Sequence, residues 1–205
     1  MPLSVIGSDV ALDFYVRQVP RGAPVLILGA GEGQLACALG RRGHEVVALE
    51  PSAKLLALAI ERREGEAARA SIRFLNADPR TERLGRLFLA VLLPRNALGL
   101  ARADGELRAL LATVEAHLAA EGAFALDARV ESAPDEVRGR AVPHLLGRQG
   151  GQRALHRLER SGVSAAHLDV LLRDVGLEAR ERYQDFSGTP AADDAQLQVV
   201  VGGRR

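Results

Sequence analysis

The sequence predicts an α/β fold in which a mostly parallel sheet is covered by helices on both faces, and three observations carry that prediction. Short apolar runs alternate with amphipathic helical segments along most of the chain. The early runs are apolar throughout, as strands buried on both faces require. Glycine and proline punctuate the junctions. Right-handed crossovers between such strands then leave few possible topologies.

Taken in order, residues 10–19 form a helix whose free N–H groups Ser8 or Asp9 can cap. Pro20, Gly22 and Pro24 break the chain before a strand, Val25-Leu26-Ile27-Leu28. A turn of glycines, Gly29-Ala30-Gly31-Glu32-Gly33, leads into a helix over 34–42 that Gly43 ends. The unit repeats as a strand over 45–49, ending at Glu50, and a helix over 53–63 capped by Ser52. Strands follow over 71–76, reaching Asp78, and over 86–93, closed by Pro94. An amphipathic helix over 105–120 carries Leu107, Leu110, Leu111, Val114 and Leu118 on one side, and Gly122 is expected to end it. A fifth strand spans 123–130.

Between 131 and 162 the pattern weakens among prolines, glycines and arginines, which reads as an insertion or lid within one domain spanning 1–205. Ser164 caps a helix reaching residue 175, and Gly176 stops it. Two last strands, 177–183 and 195–201, are joined through Ser187-Gly188-Thr189-Pro190.

Composition excludes several classes of function. A formal charge of +1 gives no general pull towards nucleic acid, and 3% aromatic residues without tryptophan leave no base-stacking surface. No partner of that kind is expected. No apolar run approaches the roughly 20 residues that span a bilayer, and the first residues lack the pattern of a signal peptide, so a cytoplasmic location is expected. Cys37 is the single cysteine, which rules out an internal disulfide or a cysteine zinc cage. The five histidines are dispersed without an H-x-x-x-H pair, so no metal site is expected. His144 and His156 flank the 131–162 segment, as structural side chains or as a base near a substrate. Nearly all the positive charge is arginine, which either coats solvated faces or meets an acidic substrate.

In a parallel α/β sheet ligands bind beyond the carboxyl ends of the strands, where strand order reverses. Glycines 29, 31 and 33 allow a close backbone approach, and the following helix offers free N–H groups to an anion. A dinucleotide fingerprint would place its third glycine at position 34, which is Gln34. Glu50, 21 residues after Gly29, can accept from both hydroxyls of a ribose. That supports a nucleoside, in NAD or in S-adenosylmethionine alike. Asp78 either accepts from an adenine amino group or forms the turn before Pro79.

Together Val25 to Gly33, His44 to Ser52 with Leu55 to Ala59, Asn76-Ala77-Asp78, Phe88 to Asn96 and His117 to Gly122 resemble the ordered motifs of class I S-adenosylmethionine-dependent methyltransferases. The likeness spans 9–127 and resumes from 167, and it is greatest to a subgroup acting on small molecules. The resemblance implies a doubly wound, Rossmann-like seven-stranded sheet with the last strand antiparallel. It implies S-adenosylmethionine as methyl donor and a small-molecule acceptor. Gly29, Ala30, Gly31 and Gly33 would surround the methionine part of the donor. Glu50 would hold the ribose, Pro51 would lie near the adenine ring and Asp78 would face its amino group. Pro94 and Asn96 would sit beside the sulfonium, and Tyr15 would close the pocket or pack its helix on the sheet. Catalytic residues are not assigned by the resemblance. Two positions depart from the pattern: Ile27 and Leu89 stand where that family usually carries acids. The departures set a binding or interaction module without turnover beside the enzyme, and a nicotinamide oxidoreductase is disfavoured by Gln34.

Overall fold

Runs that are apolar throughout become strands covered on both sides. In the computed structural model, which describes residues 8–67, 71–101, 103–130, 142–145, 155–158, 162–193 and 195–205, β1 (Val25–Leu28) and β2 (Val46–Leu49) are buried at every position. They pair in parallel, and β3 (Ile72–Leu75), β4 (Phe88–Leu93) and β5 (Leu118–Arg129) extend the same sheet in parallel. The chain closes with β8 (Leu177–Tyr183) and β9 (Leu197–Arg204). The seven strands run in the order β3-β2-β1-β4-β5-β9-β8, with β9 antiparallel to both its neighbours. The expected doubly wound sheet with an antiparallel last strand is the one observed.

Helices α1 (Ser8–Arg17) and α2 (Gln34–Arg41) cover one face. Their side chains Phe14, Tyr15, Leu35 and Leu39 pack on Val25, Ile27, Val46 and Ala48. On the other face α4 (Asp104–His117) and α5 (Ala165–Asp174) bury Leu110, Leu111, Val114, Leu168 and Leu172 against Leu26, Leu28, Val91 and Leu93. The alternation along β1 thus sends odd and even residues to opposite layers. Helix α3 (Ala53–Glu64) starts at Ser52, whose hydroxyl accepts from the Leu55 N–H, and packs beside α2. Ser164 caps α5 in the same way.

The lid expected over 131–162 falls mostly outside the described residues. Within it, β6 (Val142–Leu145) and β7 (Leu155–Leu158) pair antiparallel as a separate sheet, with His144 opposite His156 in register. Among the described residues no helix is long and apolar enough to cross a membrane.

Two boundaries differ from the sequence reading, and both differences have a cause in packing. The helix expected to reach residue 120 stops at His117, and Leu118 already pairs with Phe88 in the sheet. The Arg204 guanidinium donates to the Glu115 and Leu118 carbonyls at 2.6 and 2.8 Å, satisfying acceptors that a continued helix would have used. Gly122 therefore ends no helix. It lies inside β5, where a Cβ would meet the Phe88 carbonyl at 3.1 Å and Leu118 at 2.9 Å. The last strand, expected over 195–201, is Leu197–Arg204 and so continues through Gly202 and Gly203. Their missing side chains make room for the Phe124 ring and the Arg180 guanidinium.

Gly202→Ala should consequently be severe. Its Cβ would collide with the Glu178 carbonyl and lie 2.5 Å from the Phe124 ring, a clash with backbone that no rotamer relieves. A loss of about 3 kcal/mol is expected, read as a lower urea midpoint with an unchanged slope.

Candidate functional site

Strand order places the site. From β1 the chain moves outward to β2 and β3, then returns to β4 on the other side of β1. The crevice beyond the carboxyl ends of β1 and β4 is therefore flanked by the glycine turn and by the loop Pro94-Arg95-Asn96. The two touch: a Cβ on Gly29 would stand 3.7 Å from the Ala97 Cβ, and one on Gly31 would stand 3.1 Å from an Arg95 guanidinium nitrogen.

Gly29 and Gly31 have φ of 87° and 58°, so the turn takes a path that residues with side chains rarely follow. Gly33 shares this conformation, with φ of 78°, and serves a second purpose as well. A Cβ there would lie 2.8 Å from the Phe74 ring and 3.0 Å from the Ala59 Cβ, so its bareness lets α3 and β3 close against the start of α2. Ala30 is buried beside it, its N–H donating to the Leu49 carbonyl at 2.9 Å.

Glu50 turns into this turn. It is only 5% exposed. One carboxylate oxygen accepts from the Gly31 N–H at 2.8 Å and the other from the Ser52 N–H at 2.9 Å. No cation among the described residues comes within ion-pair distance of it. A carboxylate offers about four lone-pair sites, so each oxygen retains capacity for one more donor. Asn76 steadies the segment by donating to the Glu50 carbonyl at 2.9 Å and the Pro51 carbonyl at 3.2 Å. Pro51 itself is exposed. Asp78, at the end of β3, is gripped by Arg80, whose Nε and Nη2 approach its two oxygens at 3.0 and 2.7 Å. That pairing holds the Asp78 carboxyl below its ordinary range.

The loop after β4 is held by a carboxylate that sequence reading did not single out. Asp127, at the carboxyl end of β5 and 5% exposed, accepts from the Arg95 N–H and the Asn96 N–H, both at 2.7 Å. Arg95 and Asn96 have φ of 64° and 52°, the only positive values outside glycine among the described residues. Such conformations cost of order 1–3 kcal/mol each, and two charge-assisted bonds of about 1.5–3 kcal/mol offset them. Tyr15 donates its hydroxyl to the same carboxylate at 2.5 Å and lies 3.2 Å from the Leu93 carbonyl. Its ring packs with Phe14 and Phe186, and Phe14 also meets Tyr183. Tyr15 thus supports the loop from behind. Burial first, then the Asp127 charge, push its phenol well above the ordinary range.

Asn96 is 6% exposed; its Oδ1 accepts from the Arg129 N–H at 3.2 Å, while its buried Nδ2 has no partner among the described residues. Pro94 is buried at the same bend. Ile27 and Leu89, where acids are usual in the resembled family, both sit in the layer under α1 and α2, Ile27 fully buried. Histidines contribute nothing here among the described residues: His117 is buried between Thr113 and Leu84, and His167 pairs with Asp104 at the surface. No group of metal-ligating side chains occurs among the described residues.

Residues 25–122 match the family model described as a methyltransferase domain. No curated protein matches the chain in sequence. Among solved structures, the CcbJ methyltransferase from Streptomyces caelestis superposes with a TM-score of 0.78 at 20% identity, over 96% of this chain and 94% of that one. An S-adenosylmethionine-dependent methyltransferase from Clostridium acetobutylicum gives 0.78 at 15%, over 96% and 91%. The glycopeptide N-methyltransferase MtfA, complexed with S-adenosylmethionine, gives 0.70 at 24%, over 95% and 92%. At these identities the shared property is the fold.

Removing the Tyr15 hydroxyl tests the loop support. Tyr15→Phe should lower stability by about 1.5–3 kcal/mol at neutral pH. Above the ordinary tyrosine value of about 10 the unfolded chain loses this proton while the native one keeps it, so wild-type stability falls as pH rises there. The variant lacks that limb. Urea titrations should show the gap between the two proteins narrowing above about pH 10.

Proposed function

We propose, for a chain whose residues 25–122 match a methyltransferase-domain model and whose fold is similar to that of solved methyltransferases, that it transfers a methyl group from S-adenosylmethionine to a small-molecule acceptor. The observation that carries the reading is Glu50: a buried carboxylate against the glycine turn, bonded to two backbone N–H groups and to no cation. A ribose has two adjacent hydroxyls to give to the two oxygens that remain under-used.

The residues present fit such a donor. Gly29, Ala30 and Gly31 would carry its methionine part along the backbone of the turn, with the Arg95 side chain reaching over Gly31 and Gly33 shaping the turn from below. Pro51 would flank the adenine ring. Asp78 would take the adenine amino group on lone pairs that Arg80 leaves free. Pro94 and Asn96 would border the sulfonium, and the unpartnered Asn96 Nδ2 is a donor that a bound molecule can satisfy. Tyr15 would act through the loop it braces.

When bound, the donor supplies a methyl group on a positively charged sulfur that leaves as a neutral thioether. The chain's own part is alignment and exclusion of water. Asp127 fixes the Pro94–Asn96 backbone against the glycine turn, so the wall facing the methyl group does not drift. No strong base is needed where the acceptor is an amine or an acidic hydroxyl, and the acceptor gives its proton to solvent.

A second reading, a binding module without turnover, is favoured by Ile27, whose fully buried side chain cannot hold the donor's ammonium group. Both readings require the nucleoside site. In isothermal titration S-adenosylhomocysteine should bind the wild type, and Glu50→Gln should weaken it about 10- to 150-fold, the equivalent of one charge-assisted bond. Absence of binding and of thermal stabilisation at millimolar ligand would overturn the proposal. Methylation of any member of a broad acceptor panel would exclude the module.

A further inference from the structure

One charged group in the cleft is left unexplained by the donor reading. Arg95 is exposed, and among the described residues its guanidinium makes no ion pair and no hydrogen bond. Its position is not casual. Its backbone is held in the left-handed region, its N–H is fastened to Asp127, and its guanidinium is carried over Gly31. Several arginines elsewhere pair at the surface, Arg41 with Glu66, Arg80 with Asp78 and Glu106, Arg86 with Glu45, and what sets Arg95 apart is its place over the glycine turn.

We propose that Arg95 makes this cleft select a carboxylate beside the reacting sulfur; the proposal rests on the donor reading above. A sulfonium and an unpaired guanidinium in one cleft repel each other, and Ile27 supplies no acid to balance them. An anion bound between the two removes the conflict. The planar fork of a guanidinium matches a carboxylate through two parallel N–H bonds. That carboxylate comes either from the amino-acid end of the donor or from the acceptor, and the two sources can be told apart.

The test is titration of the full chain, as wild type, Arg95→Gln and Arg95→Lys, with three probes. S-adenosylhomocysteine carries the amino-acid carboxylate; 5′-methylthioadenosine keeps the nucleoside and thioether without it; benzoate is added to protein saturated with S-adenosylhomocysteine. If the donor supplies the carboxylate, Arg95→Gln weakens S-adenosylhomocysteine about 10- to 150-fold and changes 5′-methylthioadenosine by less than about twofold. Arg95→Lys, which keeps the charge and loses the fork, falls between. If the acceptor supplies it, S-adenosylhomocysteine is unaffected, while benzoate binds the wild type and not Arg95→Gln. Unchanged binding in both arms, or equal weakening of 5′-methylthioadenosine, overturns the role of Arg95 and leaves the donor reading standing. Failure of the wild type to bind either nucleoside overturns the donor reading and this proposal with it.

Discussion

Asp127 is the constraint on which the candidate cleft depends. Two consecutive residues after β4, Arg95 and Asn96, adopt a backbone conformation that side-chain-bearing residues disfavour. They stay there because both their N–H groups end on one buried carboxylate, itself bound by a tyrosine hydroxyl from the opposite end of the chain. A buried carboxylate is costly unless donors surround it, so carboxylate and bend need each other. The bend sets where Pro94, Arg95 and Asn96 point, and α1 is drawn into the site through Tyr15 although it contributes no strand or turn to it.

Glu50 repeats the device one strand over. An acid ends an apolar strand, turns back over the sheet edge and takes backbone N–H groups from a neighbouring loop, here Gly31, and from the start of α3 at Ser52. The glycine turn and the β4 loop are thus each tied to a carboxylate, and they meet where Arg95 reaches over Gly31. The sheet supplies strand ends at fixed spacing; the carboxylates convert those ends into a shaped rim.

Most of this frame was legible in the sequence because it follows from periodicity and punctuation. Runs buried on both faces, helix caps at Ser52 and Ser164, and Glu50 after Leu49 are local signals. What was missed is non-local. Arg204 stops α4 across 89 residues of chain at Glu115, and no window around Leu118 contains that information. Gly122 read as a helix end because a glycine that ends an element and one that lies within a strand against a neighbouring backbone look alike in sequence. Asp127 is a different case. The rule that singled out Glu50, a charge closing a buried strand, applies equally to Leu126-Asp127, and its partner loop carried the further sign of Pro94. Arg95 could not have been found, since it is one arginine among many until the turn brings it over Gly31.

The charge pattern of the rim then separates this chain from the pattern it resembles. An acid is usual at position 27 of that pattern; here Ile27 is fully buried in the layer beneath α1 and α2. A carboxylate introduced there would be desolvated among Phe14, Leu39 and Ala48, so the site cannot be restored by that single change without cost to the core. Asp127 is already committed to the loop and Glu50 to the turn. Under the donor reading proposed above, an anion arriving with the ligands would offset the charge that the donor brings beside the exposed guanidinium of Arg95. An apolar residue at position 27 and a guanidinium at position 95 that makes no ion pair among the described residues act in the same direction, towards the anion proposed for this cleft.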